Sequence, residues 1–145
     1  MARRTINDLL ADARGRLRRL EPAEAHAAVE AGALLVDTRC AELRHRDGSI
    51  PGSTHVPLSV LFWRLDPSSG HDIPELSSAL DRQVILICDH GFSSSLAAAT
   101  LRDLGFENAT DVNGGFQAWA VAGLPVARRR TRVQLHHDES GSVAR

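Results

Sequence analysis

The sequence predicts an α/β sandwich around a mostly parallel sheet. Short apolar runs at 33–36 and 84–87 have the length and composition of buried strands, and helical stretches alternate with them. Each run is ended by a residue able to do chemistry, Asp37 or Cys88. In open α/β sheets ligands bind outside the carboxyl ends of the strands, so residues far apart in sequence can share one rim.

The elements follow in order. Residues 5–17 carry Ile6, Leu9, Leu10, Ala13 and Leu17 at helical spacing, with Gly15 weakening the end. Glu21-Pro22-Ala23-Glu24 is a helix start with proline in the first turn, and Ala31-Gly32 stops that helix after Glu30. A strand at 33–36 precedes a short helix at 41–46. The run from Asp47 to Ser53 is turn chemistry. Residues 54–56 give a further strand. Residues 58–65 read as a helix, broken by Asp66-Pro67-Ser68-Ser69-Gly70, and 74–80 as another. The strand at 84–87 leads through Cys88 into a helix over 93–104, capped by Gly105. A strand at 109–112 and a helix at 114–122 complete the pattern. The expected organisation is a helical extension over 1–19, one domain over 20–126 and a flexible polar tail over 127–145.

Composition narrows the function. An apolar fraction of 43% in 145 residues supports one proper core. No run of 18 apolar residues exists to span a membrane, and the basic start Met1-Ala2-Arg3-Arg4 is not followed by the apolar stretch of a signal peptide. Two cysteines 48 positions apart make neither a disulfide scaffold nor a local metal motif, and a reactive thiol suits a reducing cytoplasm. The net charge of −1 argues against nucleic acid as a partner. All seventeen basic residues are arginine. Arg14, Arg16, Arg18 and Arg19 cluster near the start, and Arg128, Arg129, Arg130 and Arg132 near the end. Both clusters read as solvated termini.

Cys88 has the most informative setting. It lies between a strand's end and a helix's beginning, in the loop Asp89-His90-Gly91-Phe92-Ser93-Ser94. Loop N–H groups and the positive end of the helix dipole favour thiolate there, and thiolate is the nucleophilic form. The competing reading is a buried structural thiol. The glycine, the hydroxyls and the helix start favour reactivity.

Four segments resemble the rhodanese-like domain family, in its single-domain sulfurtransferase form. Leu35-Val36-Asp37-Thr38-Arg39 is similar to the family's Asp-x-Arg strand end, and Gly48-Ser49-Ile50-Pro51-Gly52-Ser53 to its Gly-His-Ile-Pro-Gly-Ala turn. Cys88 to Ser94 resembles the active loop Cys-x-x-Gly-x-x-Ser, and Asn113-Gly114-Gly115-Phe116-Gln117-Ala118-Trp119 the closing Gly-Gly-x-x-x-Trp element. The resemblance covers residues 20–126. It implies a three-layer sandwich with a central sheet of about five strands flanked by helices. It also implies that Cys88 takes a sulfane sulfur from a small anion such as thiosulfate, as a persulfide, and passes it to a thiol or cyanide-like acceptor, with a protein acceptor compatible. No metal or organic cofactor is implied.

In this reading Cys88 is catalytic, and Asp89, His90, Gly91, Phe92, Ser93 and Ser94 form the substrate-binding loop. The N–H groups from His90 to Ser94 supply donors to the persulfide. Gly91 permits the bend, and Ser93 and Ser94 bond the sulfur or cap the helix. The loop departs from many active members in having no arginine, and Asp89 adds negative charge. Ser49 replaces the turn's usual histidine.

Asp37 and Arg39 either support the site or form a structural ion pair, the latter favoured. His90 is a proton relay or a solvent-facing loop residue. Phe92 and Trp63 wall a pocket or, more simply, pack; Trp119 belongs to the core. Cys40 is an incidental thiol or a resolving partner for Cys88. Two other functions compete. A phosphatase on this fold needs Cys-x5-Arg, and the position holds Ser94. A non-catalytic binding module would use the loop only for recognition.

Overall fold

The computed structural model describes residues 2–78 and 80–128. Helix α1 (Ile6–Gly15) opens the chain, and α2 (Pro22–Glu30) leads into strand β1 (Leu34–Asp37). There follow α3 (Ala41–Asp47), β2 (Thr54–His55), a 3-10 turn (Leu58–Val60), α4 (Leu61–Leu65) and α5 (Pro74–Ser77). Strand β3 (Val84–Ile87), α6 (Ser93–Asp103), β4 (Ala109–Asp111) and α7 (Gly115–Val121) complete the order.

The strands lie β2-β1-β3-β4, all parallel. Alternation along each strand divides the core in two. Leu34, Val36, Val84 and Leu86 face a layer holding Leu61, Leu65, Leu76, Ala97, Ala98 and Leu101. Leu35, Ile85 and Ile87 face the opposite layer, with Ala25, Phe116 and Trp119. Burial on both faces explains why the strands read as continuous apolar runs.

The sheet has four strands rather than the expected five. A fifth position exists, but only Leu20 occupies it, through an isolated parallel bridge to Val112. Leu20 N–H donates to the Asp111 carbonyl at 3.0 Å, and Asn113 N–H to the Leu20 carbonyl at 2.8 Å. Pairing stops because Glu21 already caps α2 and Pro22 has no N–H to give.

Helix α1 packs against α6. Its start is fixed by a capping box between Thr5 and Asp8. Ala13 is buried and Leu17 packs on the core, whereas Ile6 and Leu9 are exposed, so only the helix's second half is anchored by its apolar stripe. Arg16 pairs with Asp103 of α6 at 2.5 Å. At the other end, Ala127 bridges Ser49. The expected tail lies outside the described residues beyond Arg128, as do Arg129, Arg130 and Arg132.

Candidate active site

Cys88 follows the last residue of central strand β3 and is 6% exposed. The Gly91 N–H donates to its Sγ at 3.1 Å. Its thiol lies 3.2 Å from the Ser94 hydroxyl oxygen. The amides of Phe92, Ser93 and Ser94 have no acceptor among the described residues. One backbone donor therefore sits on the sulfur, and three further amides at the start of α6 are free to bind negative charge.

The loop is held from several sides. The amides of Phe116 and Gln117, in the first turn of α7, donate to the carbonyls of Cys88 at 2.8 Å and Asp89 at 3.1 Å. This close approach requires Gly115, whose Cβ would stand 2.5 Å from the Cys88 carbonyl oxygen. Gly91 has φ +85°, and a Cβ there would lie 2.8 Å from the Gly114 nitrogen. Behind the thiol lies Asp111, fully buried at the end of β4. It accepts hydrogen bonds from the hydroxyls of Ser94 at 2.7 Å and Ser95 at 2.8 Å, and pairs with Arg19 at 2.9 Å. The Gly91 carbonyl accepts from Arg14 at 2.8 Å and from Arg19 at 3.0 Å.

The other expected residues are distributed around this centre. The Asp89 carboxylate accepts from Gln117 at 2.9 Å and lies 3.1 Å from His90 Nε2, so it is engaged at the flank of the loop. His90 faces solvent. Ser93 is half-buried, with no side-chain partner among the described residues. Phe92 and Trp63 do not pack in the core: they are 60% and 55% exposed. Trp119 is fully buried, its indole N–H donating to the Pro125 carbonyl at 2.9 Å.

Asp37 and Arg39 form a fully buried ion pair at 2.9 Å. Arg39 also donates to the Gly48 carbonyl at 2.8 Å, joining the end of β1 to the following turn. Its guanidinium lies 3.7 Å over the Phe116 ring centre, a cation–π contact, and its Nη1 atom is buried without a hydrogen-bond acceptor among the described residues. None of these bonds reaches Cys88. Cys40, at the N-cap of α3, is exposed, and both cysteines are free.

Sequence reasoning did not include Asp111, Ser95, Arg14 or Arg19 in the site. Asp111 could have been found by the rule that singled out Asp37 and Cys88, since it too ends a parallel strand. The arginines carried no such signal. They read as a solvated terminus, yet Arg14 and Arg19 are both half-buried against the loop.

The model of the rhodanese-like domain matches residues 21–122. A thiosulfate sulfurtransferase GlpE of Stutzerimonas stutzeri is 36% identical over 124 residues, 84% of this chain and 94% of that protein. Its counterpart in Pseudomonas savastanoi pv. phaseolicola is 38% identical over 104 residues, 70% and 86% of the two chains. A solved structure from Rhodopseudomonas palustris, of a protein of unknown function described as a possible tyrosine phosphatase, superposes with TM-score 0.80. It is 32% identical and covers 88% of this chain and 97% of its own. A parallel sheet whose central strand delivers a cysteine into a loop closed by Gly114-Gly115, and this match across most of the chain, agree: the protein belongs to the rhodanese-like domain family.

Proposed function

We propose that the protein is a sulfurtransferase that carries a sulfane sulfur on Cys88. The observation supporting this best is the loop itself, with the Gly91 N–H on Sγ and three further amides uncommitted. The thiosulfate sulfurtransferases among its relatives support the same reading. The Cys88 thiolate attacks the outer sulfur of thiosulfate. A bond forms between Sγ and that sulfur, the sulfur–sulfur bond of the donor breaks, and sulfite leaves with the electron pair. The outer sulfur of the resulting persulfide is anionic, and the loop amides of His90, Phe92, Ser93 and Ser94 hold it. A nucleophilic acceptor, cyanide or a thiol, then takes the outer sulfur, and the electron pair returns to Sγ as thiolate. A protein thiol can take the acceptor's place. Asp37 and Arg39 serve to fix the neighbouring strand end, not to touch the sulfur. The chemistry needs a reduced thiol, which suits the cytoplasm. No helix among the described residues is long and apolar enough to cross a membrane.

Phosphatase chemistry is disfavoured by the same site. Ser94 stands where a guanidinium would hold phosphoryl oxygens, and the Asp111 carboxylate lies 2.7 Å behind it. Phosphate release from an aryl phosphate is expected to be undetectable.

The test is intact mass after incubation with thiosulfate. The protein should gain the mass of one sulfur atom, lose it to cyanide, and gain nothing as Cys88→Ala. Failure to load from thiosulfate, mercaptopyruvate or a small persulfide would reject this reading in favour of a binding module.

A further inference from the structure

We propose that Arg14 is a specificity-determining residue of the Cys88 site, a cation supplied by α1 that makes the thiol prefer anionic reactants. The inference rests on Cys88 as the reacting nucleophile. Arg14 lies outside the segment matched by the family model, which begins at residue 21.

The charges around the sulfur lead to it. The loop from Asp89 to Ser94 contains no arginine or lysine. An anionic donor approaching Cys88 meets Asp89 at the flank and Asp111 behind. Arg19 is spent on Asp111, as a two-point pair with bonds of 2.9 and 3.2 Å. Arg14 is different. Its Nε donates to the Ser95 hydroxyl at 3.1 Å and its Nη2 to the Gly91 carbonyl at 2.8 Å, and its guanidinium lies 5.5 Å from the Phe92 ring centre. All three partners are neutral, and Arg14 has no carboxylate partner among the described residues. Its charge is therefore not neutralised by a direct ion pair: Asp111, reached through the Ser95 hydroxyl at 2.8 Å, is already paired with Arg19, and half-burial screens Arg14 less than a surface charge.

The placement is set through a shared backbone residue. One residue links the two groups: Gly91 gives its N–H to Sγ and its carbonyl to Arg14. In a trans peptide the N–H points opposite to the carbonyl, so the Phe92 amide is held facing away from the guanidiniums. Two cations on one carbonyl also polarise that amide as a donor. Burial of Ala13 and the Arg16–Asp103 pair fix the turn of α1 that carries Arg14.

The experiment compares alkylation of Cys88 by anionic iodoacetate and neutral iodoacetamide, read on the Cys88 peptide by mass spectrometry at low salt. The ratio of the two rates cancels changes in the thiolate's own reactivity. Arg14→Ala should lower the iodoacetate-to-iodoacetamide ratio about fivefold, the order expected for one nearby unit charge at an effective dielectric between those of protein and water. Arg14→Lys should restore the ratio, and high salt should erase the difference. Arg14→Gln removes the charge at similar length and should match Arg14→Ala, which guards against a disturbance of the helix. Sulfur loading from thiosulfate should fall in parallel. An unchanged ratio in Arg14→Ala and Arg14→Gln overturns the proposal. A lowered ratio in a protein that never loads sulfur would reject the sulfurtransferase reading and leave the role of Arg14 standing.

Discussion

Gly115→Ala tests most directly how the cysteine loop is held. The glycine has φ +61°, and a Cβ there would stand 2.5 Å from the Cys88 carbonyl oxygen, 2.7 Å from that of Asp89 and 2.7 Å from the Gly91 nitrogen. All three are backbone atoms, so no side chain can rotate away; the loop or α7 must move. Left-handed backbone costs a residue with a Cβ about 1–2 kcal/mol. Overpacking against fixed neighbours adds about 1–3 kcal/mol. The expected loss is therefore about 2–5 kcal/mol. Gly123→Ala is the control, because Gly123 has φ +77° but nothing within 4 Å of the added Cβ. It should cost only the backbone share, about 1–2 kcal/mol. Urea unfolding of both variants gives the comparison if the slopes are unchanged. Sulfur loading at Cys88 should fall in Gly115→Ala and survive in Gly123→Ala, since only the first displaces the α7 amides from the loop carbonyls. Equal costs with loading intact in both would refute the claim that contact with α7 positions the loop.

Two further outcomes follow from the charges. Asp111→Ala leaves Arg19, Ser94 and Ser95 without their shared buried acceptor and should cost about 3–5 kcal/mol in urea unfolding, the scale of breaking a buried pair. The Arg46 side chain, and then that of Gln117, hold the Asp47 carboxyl down from its ordinary 3.8 to about 2. A carboxyl depressed on folding adds stability that is present above 3.8 and lost as pH falls through about 2. Carboxyl carbon shifts should place its midpoint near 2, and Arg46→Gln should return it toward 3.8.

The layers of the fold were legible because two-sided burial writes apolar runs directly into sequence, as at Val84 to Ile87. The cysteine loop was legible because Gly91, Ser93 and Ser94 are the residue types that a tight turn into a helix needs. The Asp37–Arg39 ion pair was legible from two opposite charges at a strand end. The fifth strand was not, because a single bridging residue, Leu20, leaves no periodicity to read. Phe92 and Trp63 were read as packing in preference to walling a pocket, because aromatic character alone does not report depth; both stay largely exposed, and Trp63 lines a surface pocket with Val60 and His71. Arg14 and Arg19 were misjudged for a different reason. Their partners lie 72 to 94 positions away, and nothing local distinguishes an arginine bound to a distant carbonyl from one in solvent.

The strand-like bridge at Leu20 and the contacts before it bear on how the molecule is assembled. The first twenty residues and the last strand of the sheet meet only when nearly the whole chain is in place. Closure over such a separation is slow, so the Cys88 site is expected to be completed late in folding, after β1 and β3 have paired. It also sets the smallest working unit. A fragment cut at residue 21, where the family match begins, would keep the cysteine, its loop and most of the core, but would leave Asp111 as a buried anion without its cation.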